Sequence, residues 1–358
     1  GYIVMERCGD MSFHKIGETT KPHFEVHAED DEIHSFRIIA FNEGGRSFPS
    51  ETLAFRHVGN DQKPILIING FTRVSAPAVI TDGEDYAGFD TSNDFGVPYI
   101  KDVSFTGPQT EFHRSAGSDF GKSSERYVAS VIAGNTFDYP SLHGEAIANA
   151  GRGFVSSSVG AVEQGSVNLS DYSTVDLILG KQKATIMCRG MNGAEFTGIP
   201  KKLRNALDNY LERGGDLILS GEYVASDLRD THNDLDAAKW GEQVLGITVP
   251  DSIAPTAVGT IDGVSAPLKS TFESRRYAYS NTLNEDQYIV ERPDAIIPTE
   301  HMDESATFLR FSDTKAAAGL LLRKGKSRRA IMSVPFEALK DENQRGLLMK
   351  EMLDWVER

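Results

Sequence analysis

Long apolar runs are missing from this sequence: none reaches the 18 or so residues that cross a bilayer as a helix, so no membrane span is expected. Cysteine is scarce. Only Cys8 and Cys188 occur, in what read as different domains, so no disulfide framework is expected and the redox compartment stays open. There is no Cys-x-x-Cys pair and the nine histidines are spread along the chain, so neither a structural zinc site nor a cofactor is expected. Basic residues are outnumbered, with 37 Lys and Arg against 52 Asp and Glu and a formal charge of −15. Nucleic-acid affinity rests on cations that displace counterions, so such a partner is not expected. No phosphate loop occurs and no Gly-x-Gly-x-x-Gly follows the first strand of the larger domain, which removes nucleotide binding as well. Gly1 opens into Tyr-Ile-Val-Met without a charged leader and cleavage site, so the chain is expected to start inside a module.

What is present suits a folded globular protein, with 39% hydrophobic and 25% charged residues over 358 positions. Two domains are expected. Residues 1–58 alternate apolar and polar with period two, as in Phe36-Arg37-Ile38-Ile39-Ala40-Phe41, which predicts antiparallel strands. From residue 63 the pattern becomes short continuous apolar runs ended by Gly or Ser, Pro64–Gly70, Gly153–Ser158, Val175–Gly180 and Asp216–Gly221, with a closing strand at Arg329–Val334. Strands buried on both faces read this way. Helices are predicted over 199–213, where Leu203, Ala206, Leu207, Tyr210 and Leu211 share a face, over 141–150, and over 343–356. The alternation predicts an α/β domain over 63–358 with a doubly wound, mostly parallel sheet and insertions near 75–135 and 249–326.

The stretch from His34 to Glu51, with its Asn42-Glu43-Gly44-Gly45 turn, resembles the last two strands of a fibronectin type III module, His34 standing where that family has a corner tyrosine. The resemblance implies a partial β-sandwich over 1–58 that follows upstream domains of the same polypeptide. Tyr210-Leu211-Glu212-Arg213-Gly214-Gly215-Asp216 before the fourth strand, and Ser333-Val334-Pro335-Phe336-Glu337 after the last, resemble the class I glutamine-amidotransferase-like (flavodoxin-related) fold. Members with amidase activity carry a cysteine elbow and a late histidine. Here Ser220-Gly221-Glu222-Tyr223 holds no thiol and no histidine follows His301, so glutaminase activity is not expected. Asn69-Gly70-Phe71-Thr72-Arg73, His143-Gly144 and Val334-Pro335-Phe336-Glu337 together are similar to secreted bacterial proteins described as xanthan-lyase-like or N-acetylmuramoyl-alanine-amidase-like. That resemblance implies an extracellular, periplasmic or cell-surface location and a polysaccharide or peptidoglycan partner.

In open α/β sheets ligands bind beyond the carboxyl ends of the strands, which selects the candidate residues. Glu222 and Glu337 are candidate acid and base, or else caps of helix N-termini. Asp138 and His143 are a candidate orienting pair with Ser157 or Ser158 as nucleophile, or else helix-start and strand-end residues. Asn69, Arg73, Ser158, Tyr223 and Asp227 are candidate substrate contacts, Arg73 for a carboxylate of the ligand or else for an internal acid such as Asp227. Two functions remain open: a polysaccharide lyase, hydrolase or amidase, and a non-catalytic glycan-binding or scaffold module. A catalytic site requires Glu222, Glu337, Arg73 and His143 to converge in one solvent-open pocket.

Overall fold

The structure, a computed structural model, describes residues 1–9, 12–27, 31–47, 49–59, 63–70, 138–182, 197–231, 234–250, 258–265, 267–269, 272–281, 290 and 292–358. It also describes the backbone of 78–82, 86–90, 185–187 and 194–196. Fourteen strands join in one sheet. In chain order they are β1 (Tyr2–Cys8), β2 (His14–Thr19), β3 (His34–Asn42), β4 (Gly45–Arg46), β5 (Leu53–Arg56), β6 (Ile65–Asn69) and β7 (Phe154–Ser158). There follow β8 (Thr174–Gly180), β9 (Asp216–Gly221), β10 (Thr260–Gly263), β11 (Arg276–Ala278), β12 (Glu304–Phe311), β13 (Ala317–Lys324) and β14 (Ser327–Met332). The spatial order is β11-β10-β12-β13-β14-β9-β8-β6-β7-β5-β3-β1-β2, with β4 paired to β3.

Five central strands, β7-β6-β8-β9-β14, run parallel. Their side chains alternate between two cores. Ile65 and Ile67 of β6, Ile178 of β8 and Ile218 of β9 face helices α1 (Tyr139–Asn149) and α3 (Glu342–Val356). Leu66, Ile68, Leu177, Leu217 and Leu219 face the other way, onto helix α2 (Lys201–Glu212) through its buried Leu203, Leu207 and Leu211. Each of these fully buried aliphatic side chains stabilises the fold by about 1.5–3 kcal/mol. Between α2 and β9, Gly214 at φ +88° takes a conformation that glycine adopts without strain, and bare Gly215 leaves room for the Tyr210 ring.

The doubly wound, mostly parallel sheet expected from the sequence is corrected by this topology: the parallel strands are the middle of a mixed sheet whose two flanks are antiparallel. On one side β14, β13, β12, β10 and β11 pair antiparallel in turn, so part of the expected insertion at 249–326 extends the sheet. On the other side the described residues of 1–58 form no separate partial sandwich. Phe55 and Arg56 of β5 pair with Val155 and Phe154 of β7, and β3, β1 and β2 follow outward. The physical reason is that β7 and β14 end the parallel block with unpaired backbone groups, which the antiparallel strands satisfy.

Candidate functional site

Among the described residues, Asn69, Ser157, Ser158, Glu222, Tyr223 and Glu337 fall at or just beyond the carboxyl ends of the parallel strands and Asp138 and His143 at α1, and these candidates do not meet in one open pocket. His143 lies on α1, and Gly144 beside it brings the helix down on the sheet: a Cβ there would collide with the Phe154 ring. Asp176 is one of the residues of β8 that faces α1, because it shares the parity of Ile178. His143 Nδ1–H donates to Asp176 Oδ2 at 2.7 Å and Nε2–H to Glu337 Oε2 at 3.2 Å, with all three side chains wholly inaccessible. Burial disfavours the imidazolium, yet the charges and hydrogen bonds of Asp176 and Glu337 outweigh it and raise the His143 pKa from 6.5 to about 9. The result is a buried cation held between two carboxylates.

Asp138 is not the orienting partner of His143. It takes a two-pronged ion pair from Arg7 of β1, at 2.7 and 2.9 Å, and so ties β1 to the start of α1. Glu222 is wholly buried elsewhere, accepting the Arg292 amide at 2.5 Å with Lys181 Nζ 3.9 Å away. Asp227 accepts the Gly198 amide at 2.8 Å, and half-buried Tyr223 accepts the Asp227 amide on its carbonyl. Asn69 donates to Glu51 at 2.5 Å, Ser158 caps the short helix Val159–Glu163, and Ser157 donates to the Ser158 carbonyl. Arg73, Cys188 and most of the expected insertion at 75–135 lie outside the described residues.

Sequence reasoning passed over Asp176 and Asp294. Asp176 had a signal, a lone carboxylate inside the apolar run Val175-Asp176-Leu177-Ile178. Asp294 had none: it accepts the amides of Ala225 and Ser226 across a long chain separation, and burial raises its pKa although those amides oppose the rise. It fastens the segment between β11 and β12 to the turn that follows β9.

An open space does exist, on the flank. A cavity of about 560 Å³ lies over the outer face of β1, β3 and β5, bounded by the segment 19–26. Tyr2, Val4, Phe24, Phe36, Ile38, Leu53 and Phe55 make its walls, and Thr19, Lys21, His23 and Ser156 supply polar groups. Tyr2, Phe24 and Leu53 remain 38–40% exposed, while Phe36 and Phe55 stack at 5.7 Å. At the far end of the same face, Glu6, Cys8 and His34 cluster.

No family model and no curated protein sequence matches the chain. Among solved structures it is similar to a GH42 β-galactosidase, Gan42B, with TM-score 0.38, 10% identity, and coverage of 63% of this chain and 27% of that one. A β-galactosidase from Bacillus circulans sp. alkalophilus gives 0.39, 12%, 66% and 28%. The chain thus spans about a quarter of the length of these glycosidases. A Salmonella typhimurium LT2 chain described as a cytoplasmic protein gives 0.39 and 9%, covering 82% of this chain and 96% of that one. The extracellular or periplasmic location expected from the sequence is accordingly corrected: the neighbours matched over nearly their whole length, this one and a second from Salmonella typhimurium, are described as cytoplasmic. None of these likenesses says what the chain binds. No helix among the described residues is long and apolar enough to cross a membrane.

Proposed function

We propose that this chain is a carbohydrate-associated protein that binds a glycan in the flank groove and does not cleave it. One observation carries the reading: among the described residues, the acids and bases at the strand ends are engaged in internal contacts, while the open concavity is aromatic and holds no pair of carboxylates. Glycosidic cleavage needs two carboxyl groups about 5–9.5 Å apart facing the sugar. His143, Asp176 and Glu337 have no exposed surface, and Glu222 has none either. The groove has the character of a binding site, apolar walls with a few polar groups at its edge. The apolar faces of sugar rings lie against aromatic side chains such as Tyr2 and Phe24, and Lys21 with His23 suits the carboxylate of an acidic sugar or a peptidoglycan fragment.

The test is to incubate the protein with xanthan, other acidic glycans, a galactan, a mannan and peptidoglycan fragments, following reducing ends, unsaturated products and released amines alongside calorimetric binding. Binding without product is the expected result, weakened about tenfold by Phe24→Ala. Turnover of any of these polymers would install the lyase, hydrolase or amidase reading in its place. Failure of all of them to bind would remove the glycan.

A further inference from the structure

We infer that Glu6, Cys8 and His34 form a Zn²⁺ site on the open face of the edge strands. Glu6 and Cys8 are two apart on β1 and so project to the same face, and Cys8 is the cross-strand partner of His34 on β3. The antiparallel register therefore delivers three donors of the kinds that zinc takes, a carboxylate, a thiol and an imidazole, from a rigid ladder. His34 Nδ1 lies 3.0 Å from Glu6 Oε1 and 3.4 Å from Cys8 Sγ, and all three donor atoms fall within 4.8 Å of one another. Tetrahedral zinc with bonds of about 2.0–2.3 Å sets its ligands about 3.3–3.6 Å apart. The two separations from His34 Nδ1, 3.0 and 3.4 Å, are near that spacing already.

Without a metal, Nδ1–H can donate to Glu6, and the Cys8 thiol is both a weak donor and a weak acceptor beside it. A cation at the centre of the three donors satisfies all of them. The other ring nitrogen, Nε2, is buried without a hydrogen-bond partner among the described residues, so His34 offers the cluster its Nδ1. His34 is held edgewise by stacking on Phe36 and Phe55, at 6.4 and 5.5 Å, which fixes the direction of that nitrogen. Cys8 is a thiol outside any disulfide. Zinc entry releases its proton to solvent and leaves thiolate, imidazole and carboxylate on the metal, with water in the fourth position, since Glu6 and Cys8 are only half-buried. The inference is independent of the glycan reading.

The test is calorimetric titration of the reduced, chelator-treated full chain with ZnCl2, repeated on Cys8→Ser, His34→Gln and Glu6→Gln, with circular dichroism to verify that each variant is folded. One saturable site is expected, with each substitution weakening it by about 10-fold or more. Titration with Co²⁺ is expected to give a thiolate-to-metal charge-transfer band that Cys8→Ser abolishes, a readout that a merely structural role for the cysteine would not move. No saturable binding up to about 1 mM zinc, where affinity falls to that of scattered surface carboxylates, would overturn the site. So would binding that survives all three substitutions, or cobalt binding without the thiolate band.

Discussion

His143 and His34 each stand beside carboxylates in the same sheet, and the difference between their surroundings is the difference between its centre and its edge. At the centre both faces are covered, α1 and α3 on one and α2 on the other, so a charge has no water to turn to and must be matched by protein. His143 is matched twice, by Asp176 and Glu337, and the three are closed off. At the edge one face of β1, β3 and β5 packs against the start of α1, where Arg7 meets Asp138, and the other is open. There two donors converge on one nitrogen of His34 and a side remains for solvent or a ligand. Complete internal pairing marks a structural ion cluster, and convergent donors beside an open face mark a place where something binds.

The sharpest way to break this comparison is to remove each histidine in turn. His143→Ala leaves two carboxylates facing each other in a sealed interior and is expected to destabilise the fold by about 3–5 kcal/mol. In metal-free protein His34→Ala removes a buried, stacked ring and one partner of Glu6 but leaves no pair of carboxylates sealed together, and is expected to cost less, about 2 kcal/mol. Urea unfolding followed by the fluorescence of buried Trp240 and Trp355 measures both. Equal losses would show that the two clusters do not differ in kind.

A pH series reads the same contrast on a smaller scale. The His143 pKa is about 9 in the folded chain against 6.5 for the ordinary residue. A raised folded-state pKa stabilises fully below pH 6.5, and the contribution drains away as pH rises towards and through 9. At 1.36 kcal/mol per pKa unit the loss is about 3 kcal/mol. The wild type is therefore expected to lose that much more stability than His143→Gln between the two limits. Parallel curves for the two proteins would mean that the cluster is not held by charge.

The five central strands were readable because burial on both faces leaves uninterrupted apolar runs, and α2 because Leu203, Leu207, Tyr210 and Leu211 keep helical spacing. The sheet they belong to was not. Pairing of β5 with β7 rests on two residue pairs joined across about a hundred positions, and nothing local in Leu53–Arg56 names its partner. The site failed for the same reason. His143 finds Asp176 and Glu337 at separations of 33 and 194 residues, whereas Asp138, near in sequence, is drawn to Arg7, 131 residues away. Local proximity suggested a pair that the tertiary fold divided. Glu6, Cys8 and His34 were invisible as a set because their relation is a cross-strand register, and the sequence shows strands without showing which residues face each other.

The smallest expected effect concerns Tyr2, and it tests whether the open face is a surface kept for a ligand. Tyr2 lines the groove with 40% of its surface exposed, so truncation removes less buried area than at a core aromatic. Its strand contributes backbone pairs to both β2 and β3 that the substitution leaves in place. Tyr2→Ala is therefore expected to shift unfolding by about 1 kcal/mol. If the ring is a platform for sugar, the same change weakens glycan binding several-fold and leaves zinc affinity untouched, because Tyr2 and Cys8 sit at opposite ends of β1. A large loss of stability would instead make the aromatic wall part of the core and take from the edge the openness that sets it apart from the centre.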